Sequence, residues 1–332
     1  MKKILRLLFV AVCAISFICA CSSNTDKTGK TVKKVRIVST IYPAYDWVNQ
    51  IIGKDNPNIQ SSLLATNGVD LHSYQPTAQD IASISQADIV ITVGGSSDQW
   101  VKDTIDRLSG KKPTLVALMD IPGMTLLKEG HVGEDHHGHE HHVAHHHDSG
   151  TYDEHVWLSL TNAITSVKAI EKTVIDIDRV GAKTYSNNAA DYVGKLKALD
   201  KDYRNTIARS PGRTLVFADR FPFRYLANDY ELIAIAAFDG CSTETRASFE
   251  TIRRLASALD SHALDAVVIL EESDGKIAQS VLSASKQPGR KVLVMNAMQS
   301  VRPGQKKGYL ETMGENLAVL TQALIKKTGL PE

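Results

Sequence analysis

From residue 35 onward, short β-rich apolar runs alternate with stretches in which apolar residues recur every three or four positions. Runs at 35–39, 59–64, 89–93 and 114–117 predict strands, and 44–52, 77–85 and 100–108 predict the helices between them. This half therefore has the grammar of βα units around a parallel sheet. The second half repeats it, with strands at 214–218, 232–238, 267–270 and 292–295 and helices near 248–259, 277–285 and 309–327. Between the halves, Tyr185, Ala189, Tyr192, Leu196, Leu199, Tyr203 and Ile207 keep spacings of three and four, which one helix of about seven turns explains. Gly181 before it and Pro211-Gly212 after it mark its ends. The expected fold class is α/β: two βα lobes with parallel sheets joined by one long connecting helix, with a ligand cleft between them. The lobes are expected at 35–180 and 211–332, the helix at 181–210, and the ligand at the carboxyl ends of the strands.

The amino terminus has a different character. Met1-Lys2-Lys3 and Arg6 precede an apolar run, 7–20, broken only by Ser16. That is the pattern of a signal peptide over 1–20, too short for a comfortable membrane span. Ile18-Cys19-Ala20-Cys21 resembles the bacterial lipobox, whose cysteine is lipidated after cleavage, so Cys21 is the expected lipid attachment and 21–34 a lipidated, flexible tether. The alternatives are an uncleaved anchor helix or an ordinary secretory signal. The lipobox reading puts an exported bacterial protein on the outer face of the cytoplasmic membrane, held there by its lipid.

Cysteine count and charge narrow the picture further. Of 4 cysteines, Cys13 and Cys19 leave with the signal and Cys21 is consumed by the lipid, so only Cys241 stays free. No internal disulfide can form, and stability must come from a hydrophobic core, for which roughly 300 mature residues suffice. Lys and Arg number 38 against 37 Asp and Glu, so no nucleic-acid partner is expected.

Of 12 histidines, all but His72, His155 and His262 fall between 131 and 147: His131, His136, His137, His139, His141, His142, His145, His146 and His147. Glycines and acids interleave them without apolar periodicity, which predicts a polar loop. Neutral imidazoles at this density bind borderline ions such as zinc, copper or nickel through interchangeable ligand sets. An accessory collector or sensor beside a second, ordered site is the expected role. The competing reading is a solvated loop without metal contact.

His72 lies in Gly68-Val69-Asp70-Leu71-His72-Ser73-Tyr74-Gln75-Pro76-Thr77, and His155 in Asp153-Glu154-His155-Val156-Trp157-Leu158. Taken alone, each reads first as a hydrogen-bonded structural histidine. His262, in Asp260-Ser261-His262-Ala263, reads as a surface or capping residue. The first two segments, with Asp80-Ile81 and Asn162-Ala163, closely resemble two signature stretches of the zinc and manganese solute-binding lipoproteins of ABC importers, the ZnuA-like group. The likeness extends over nearly the whole mature chain. It implies that His72 and His155 are metal ligands from the first lobe and that the cargo is a divalent transition metal, zinc before manganese. It also implies that the partners are an ABC permease and its ATPase. A monomer is expected.

The second lobe departs from the family pattern. In Phe217-Ala218-Asp219-Arg220-Phe221-Pro222-Phe223, Arg220 stands where the family has a histidine or glutamate ligand, and a guanidinium does not ligate a cation. Asn296 stands where the family has an aspartate. Groups at strand ends that would compensate are Asp219, Cys241, Glu272 or its neighbour Glu271, and Glu244. A Cys241 thiolate beside two imidazoles makes a good zinc set, while the alternative is a half-buried thiol in a turn. Asp219 is equally suited to pairing with Arg220 or Arg224, and Glu272 to capping the next helix.

The leading function is therefore extracytoplasmic capture of a divalent transition metal and delivery to an ABC importer. The alternative is a surface metal buffer or adhesin that uses only the histidine-rich loop. Deleting 131–147 separates the two, since the first keeps one tight site and the second loses nearly all binding. An enzyme is not expected: there is no nucleophile elbow, no His-Glu-x-x-His helix and no phosphate-cradling glycine loop, and Glu154 is the only candidate base for a zinc hydrolase.

Overall fold

The computed structural model describes residues 34–64, 68–130, 151–240, 242, 244, 246–301, 304 and 307–325. The expected signal peptide, the tether apart from Lys34, Cys21, Cys241 and the histidine-rich loop lie outside the described residues.

The first sheet is built as the periodicity predicts. Strands β1 (Val35–Ser39), β2 (Ile59–Leu63), β3 (Ile89–Thr92) and β4 (Thr114–Ala117) alternate with helices α1 (Tyr42–Ile52), α2 (Ala78–Ser85) and α3 (Gln99–Arg107). All pairings are parallel, in the order β2-β1-β3-β4, with Ile37 opposite both Ser61 and Ile89. Helix α2 starts where Thr77 and Asp80 form a reciprocal capping box that satisfies two amide donors. The second sheet has the same plan: β5 (Thr214–Phe221), β6 (Ile233–Asp239), β7 (Ala266–Leu270) and β8 (Lys291–Met295), parallel in the order β6-β5-β7-β8. In each sheet the chain reverses its direction of travel beside the first strand. That is the position where open α/β sheets leave a crevice at the carboxyl ends.

Six further α-helices lie among the described residues: α4 (Leu160–Ile177), α5 (Ala182–Ala208), α6 (Arg224–Tyr230), α7 (Phe249–Ser261), α8 (Lys276–Ala284) and α9 (Tyr309–Leu324). The connecting helix expected over 181–210 is α5, and it touches both lobes. Asn188 donates to Ile51 O (3.0 Å) and Tyr192 to Asp46 (3.3 Å) on one side, and Tyr203 donates to Met313 O (2.6 Å) on the other. Helices α4 and α6 were not expected. The α4 segment is rich in Ile, Val and Thr, residues of modest helix propensity, although Leu160, Ala163, Val167, Ile170 and Val174 fall on one buried face. Helix α6 has only seven residues, too few to show a period.

One apolar cluster runs through both lobes, from Ile37, Trp47, Ile91 and Trp157 to Phe217, Val268, Met295 and Tyr309. Trp47 and Tyr309 meet edge to face, with ring centroids 5.1 Å apart. A fully buried large apolar side chain contributes roughly 1.5–3 kcal/mol, so this shared core ties the two lobes together.

Candidate metal centre

Both signature histidines sit in short turns whose backbone is fixed by the preceding aspartate. Asp70 accepts the His72 amide (2.9 Å) at the start of the single turn Leu71–Ser73. Asp153 accepts the His155 amide (2.9 Å) ahead of the turn Val156–Leu158. Such Asx turns aim a side chain without relying on a long element. His155 is fully buried and the His72 side chain is 10% exposed.

The two rings converge. Their Nε2 atoms are 3.2 Å apart, their centroids 5.1 Å, and their planes are tilted by 60°. Two imidazoles on one tetrahedral ion, each bound at about 2.05 Å, stand about 3.3 Å apart at nitrogen and about 5.2 Å at centroid. The observed pair matches both distances.

Their outer nitrogens carry partners suited to such a role. His155 Nδ1 is 2.9 Å from Asp153 Oδ1, the carboxylate–histidine arrangement that fixes the tautomer and makes the other nitrogen more basic. His72 Nδ1 is 2.9 Å from Ser97 Oγ and 3.8 Å from Glu154 Oε2. If both Nδ1–H groups donate outward, two lone pairs face each other at 3.2 Å on the first-lobe side, an arrangement that a cation stabilises. Burial lowers the pKa of His72, and proximity to His155 lowers it further, so the ring stays neutral in neutral solution. Burial opposes ionisation of Asp153 as well, but the His155 ring beside it, its hydrogen bonds and Arg224 outweigh that and hold the carboxyl below its usual range.

Glu154 follows Asp153 in sequence but serves the other histidine. Its Oε1 accepts Ser96 Oγ–H (2.8 Å) and Ser97 N–H (3.0 Å), while its buried Oε2 has no hydrogen-bond partner among the described residues. Burial raises its pKa, and the hydrogen bonds from Ser97 and Ser96 outweigh that to keep it a carboxylate. Gly95 makes room for it: a Cβ there would lie 2.3 Å from Glu154 Cδ. A carboxylate so enclosed supplies a fixed negative charge behind His72, not an accessible base.

The second-lobe candidates are placed otherwise. Asp219 accepts its neighbour's amide, Arg220 N–H (2.8 Å), and Leu270 N–H (3.4 Å). Glu272 is exposed and accepts from Ser300 Oγ (3.3 Å). Neither joins His72 and His155, for among the described residues no three His, Cys, Asp or Glu side chains cluster closely enough to hold a metal. Glu271 accepts Ala297 N–H (3.0 Å), and burial pushes its carboxyl up to about 7. Glu244 and His262 are exposed. Arg220 reaches across to Asp70 at 3.1 Å, which puts its charge beside His72. A residue that the sequence did not single out does reach one member of the pair: the Gln299 amide nitrogen is 2.6 Å from His155 Nε2.

Two parallel-sheet lobes sharing a core, with paired imidazoles at the crevice, define a cleft-type binding protein. A family model described as zinc-uptake complex component A, periplasmic (ZnuA), matches residues 37–323, and the chain belongs to that family. The likeness inferred from the two signature segments is thereby borne out. The chain is 33% identical over 325 residues to the zinc-binding lipoprotein AdcA of Streptococcus pneumoniae serotype 4, covering 97% of this chain and 61% of that one. It thus spans about three fifths of that relative's length. It is 28% identical over 326 residues to the high-affinity zinc uptake system protein ZnuA of Bacillus subtilis, covering 97% of this chain and 98% of the other. Among solved structures, the Zn(II)-bound ZnuA-like domain of Streptococcus pneumoniae AdcA superposes with a TM-score of 0.70 at 26% identity, covering 88% of this chain and 100% of that domain.

Proposed function

We propose that the chain captures a divalent transition metal outside the cytoplasmic membrane, zinc foremost, and hands it to an ABC importer, with His72 and His155 as ligands. The observation that carries this reading is the approach of the two Nε2 atoms to 3.2 Å from stretches of chain 83 residues apart. The fit of that pair to one tetrahedral ion supports a shared cargo, as do the zinc-named relatives. Imidazole donors suit zinc better than manganese, which favours oxygen ligands. On this reading the protein is a carrier and not an enzyme. It works as a monomer, with a permease and its ATPase as partners and Cys21 as the lipid anchor to the outer face of the membrane.

Calorimetric titration with zinc tests the assignment directly. The wild-type chain is expected to bind tightly, and the double variant His72→Ala plus His155→Ala to lose the tight phase. Unchanged tight binding in that variant eliminates these ligands.

A further inference from the structure

Strand β5 is irregular where it reaches the cleft. Phe217 pairs with Ala236 and Arg220 with Phe238, so Ala218 and Asp219 together stand against Ala237. Such a bulge re-aims the side chain that follows it. Asp219 holds the distortion in place, its Oδ1 accepting Arg220 N–H (2.8 Å) and its Oδ2 accepting Leu270 N–H (3.4 Å). The Arg220 side chain then leaves its own lobe and donates through Nη2 to Asp70 Oδ2 (3.1 Å), while Asp70 Oδ1 accepts the His72 amide (2.9 Å). A second-lobe guanidinium thus stands one carboxylate away from the turn that carries His72. Burial is the main cause of the lowered His72 pKa, and the charge of Arg220 adds to it.

A positive charge at that place repels an incoming divalent ion unless something negative stands between them. The carboxylates behind the imidazole pair are largely committed: Asp70 faces Arg220, and Asp153 faces Arg224 at 3.5 Å. Glu154, behind His72, is left to oppose the two charges of the ion. One unit of positive charge therefore stays uncompensated beside the fully buried His155, and uncompensated charge is costly away from water. Two imidazoles also fill only half of a tetrahedral set, and among the described residues no third His, Cys, Asp or Glu joins them. The side left open is the one that Arg220 borders. The Arg220 and Asp70 side chains are 24% and 21% exposed, against 10% for His72.

We infer that the cleft takes its metal together with a small planar oxyanion of carbonate or carboxylate type, held between the ion and the Arg220 guanidinium. The inference rests on the reading of His72 and His155 as ligands. Asp70 occupies Nη2, and among the described residues Arg220 Nε and Nη1 donate to no protein acceptor. A guanidinium presents its N–H groups in a flat fork that matches the oxygens of a planar anion. An oxygen lone pair of the same anion enters an open coordination position on the ion. The anion's single charge offsets the surplus, and the repulsion between ion and arginine becomes an attraction of each for a shared partner. Zinc and anion then bind with mutual reinforcement, each raising the affinity for the other by the same factor.

That linkage gives the test. Zinc affinity is measured by chelator competition for wild type and Arg220→Gln, first with non-coordinating perchlorate as the only added anion, then with sodium bicarbonate or sodium formate. Wild type is expected to gain about tenfold with at least one of these anions, within the range usual for coupled ligands; a gain with bicarbonate alone identifies carbonate, and a gain with formate a carboxylate. Arg220→Gln is expected to bind zinc at least as tightly as wild type in perchlorate and to gain less than twofold from either anion. No gain in wild type, or equal gains in wild type and Arg220→Gln, overturns the proposal. Should Arg220→Gln fail to fold, equilibrium dialysis of wild type against carbon-14 bicarbonate and carbon-14 formate decides alone: retention by the zinc-loaded protein and not by the metal-free one is expected, and no retention, or the same retention without zinc, overturns it. Failure of the underlying reading is recognised separately, because His72→Ala plus His155→Ala would then bind zinc in perchlorate as tightly as wild type.

Discussion

Replacing Asp153 by asparagine probes the site at its most strongly coupled point. The Asp153 side chain is 3% exposed, and its Oδ1 bonds both the amide and Nδ1 of His155 at 2.9 Å. Asparagine keeps the size and one acceptor but removes the charge, and its amide can present N–H to Nδ1 and favour the wrong tautomer. An ion held on Nε2 would stand about 6–7 Å from the carboxylate, where one unit of charge interacts by about 2.5 kcal/mol at an effective dielectric of 20. Arg224, 3.5 Å from Asp153 Oδ2, cancels part of that. The net expectation is a 10–100-fold loss of zinc affinity, about 1.4–2.8 kcal/mol, the range found when partners behind metal-binding histidines are removed. Competition against a chromophoric chelator measures the loss, and a thermal melt of the metal-free protein shows whether folding survives. An Asp153→Asn protein that folds normally and binds zinc within twofold of wild type would refute the coupling.

Three other outcomes are expected. Arg220→Gln removes a positive charge beside His72 and a partly exposed ion pair with Asp70; zinc affinity should rise several-fold in a competition assay while stability falls by no more than about 1 kcal/mol, since such pairs contribute little. Because burial lowers the His72 pKa from 6.5, the unfolded chain takes up this proton more readily than the folded one, so His72's contribution to stability is present above pH 6.5 and is lost as pH falls through the lowered folded value. A pH series of zinc affinity should show the proton competition for His72 below pH 6.5 for the same reason, and His72 titrating at or above 6.5 by nuclear magnetic resonance would contradict it. Gly95→Ala drives a Cβ to 2.3 Å from Glu154, so the carboxylate must leave its place behind His72; a destabilisation of about 1–3 kcal/mol, as for other overpacked sites, should accompany weaker zinc binding, measured by denaturant melt and chelator competition.

Much of the fold was legible because most strands carry short β-rich apolar runs, such as Ile89–Thr92 and Ala266–Leu270, and apolar runs bounded by turns mark strands without knowledge of partners. The connecting helix was legible for a related reason: Tyr185, Tyr192, Leu196 and Tyr203 are all buried on one face of α5, so the period survives in the sequence. Helix α4 shows where this logic stops. Its buried face is as regular, but β-branched residues blur it, and no proline or glycine punctuates its start. That start is instead a Ser159 cap accepting the Asn162 amide, while Ser159 Oγ itself donates to Asp229 of the other lobe at 2.6 Å.

At the site, sequence identified residue types but not directions. His72 and His155 were recognised through their flanking motifs, and the structure brings them together. The partners behind them were half visible: Asp153 precedes His155 by two residues and bonds its ring, yet Glu154, adjacent to His155, turns to His72 instead. Motif reading also compared the second lobe position by position, and so weighed Arg220 and Asn296 as altered ligands. Side-chain direction after β8 depends on one left-handed residue, Met298, and nothing in the composition of Met295-Asn296-Ala297-Met298-Gln299 announces which residue will adopt it. A single such φ turns the following side chain toward the opposite wall. The Gln299 amide thereby lies 2.6 Å from His155 Nε2, a contact between the lobes that residue-by-residue reading of the motif had no means to find.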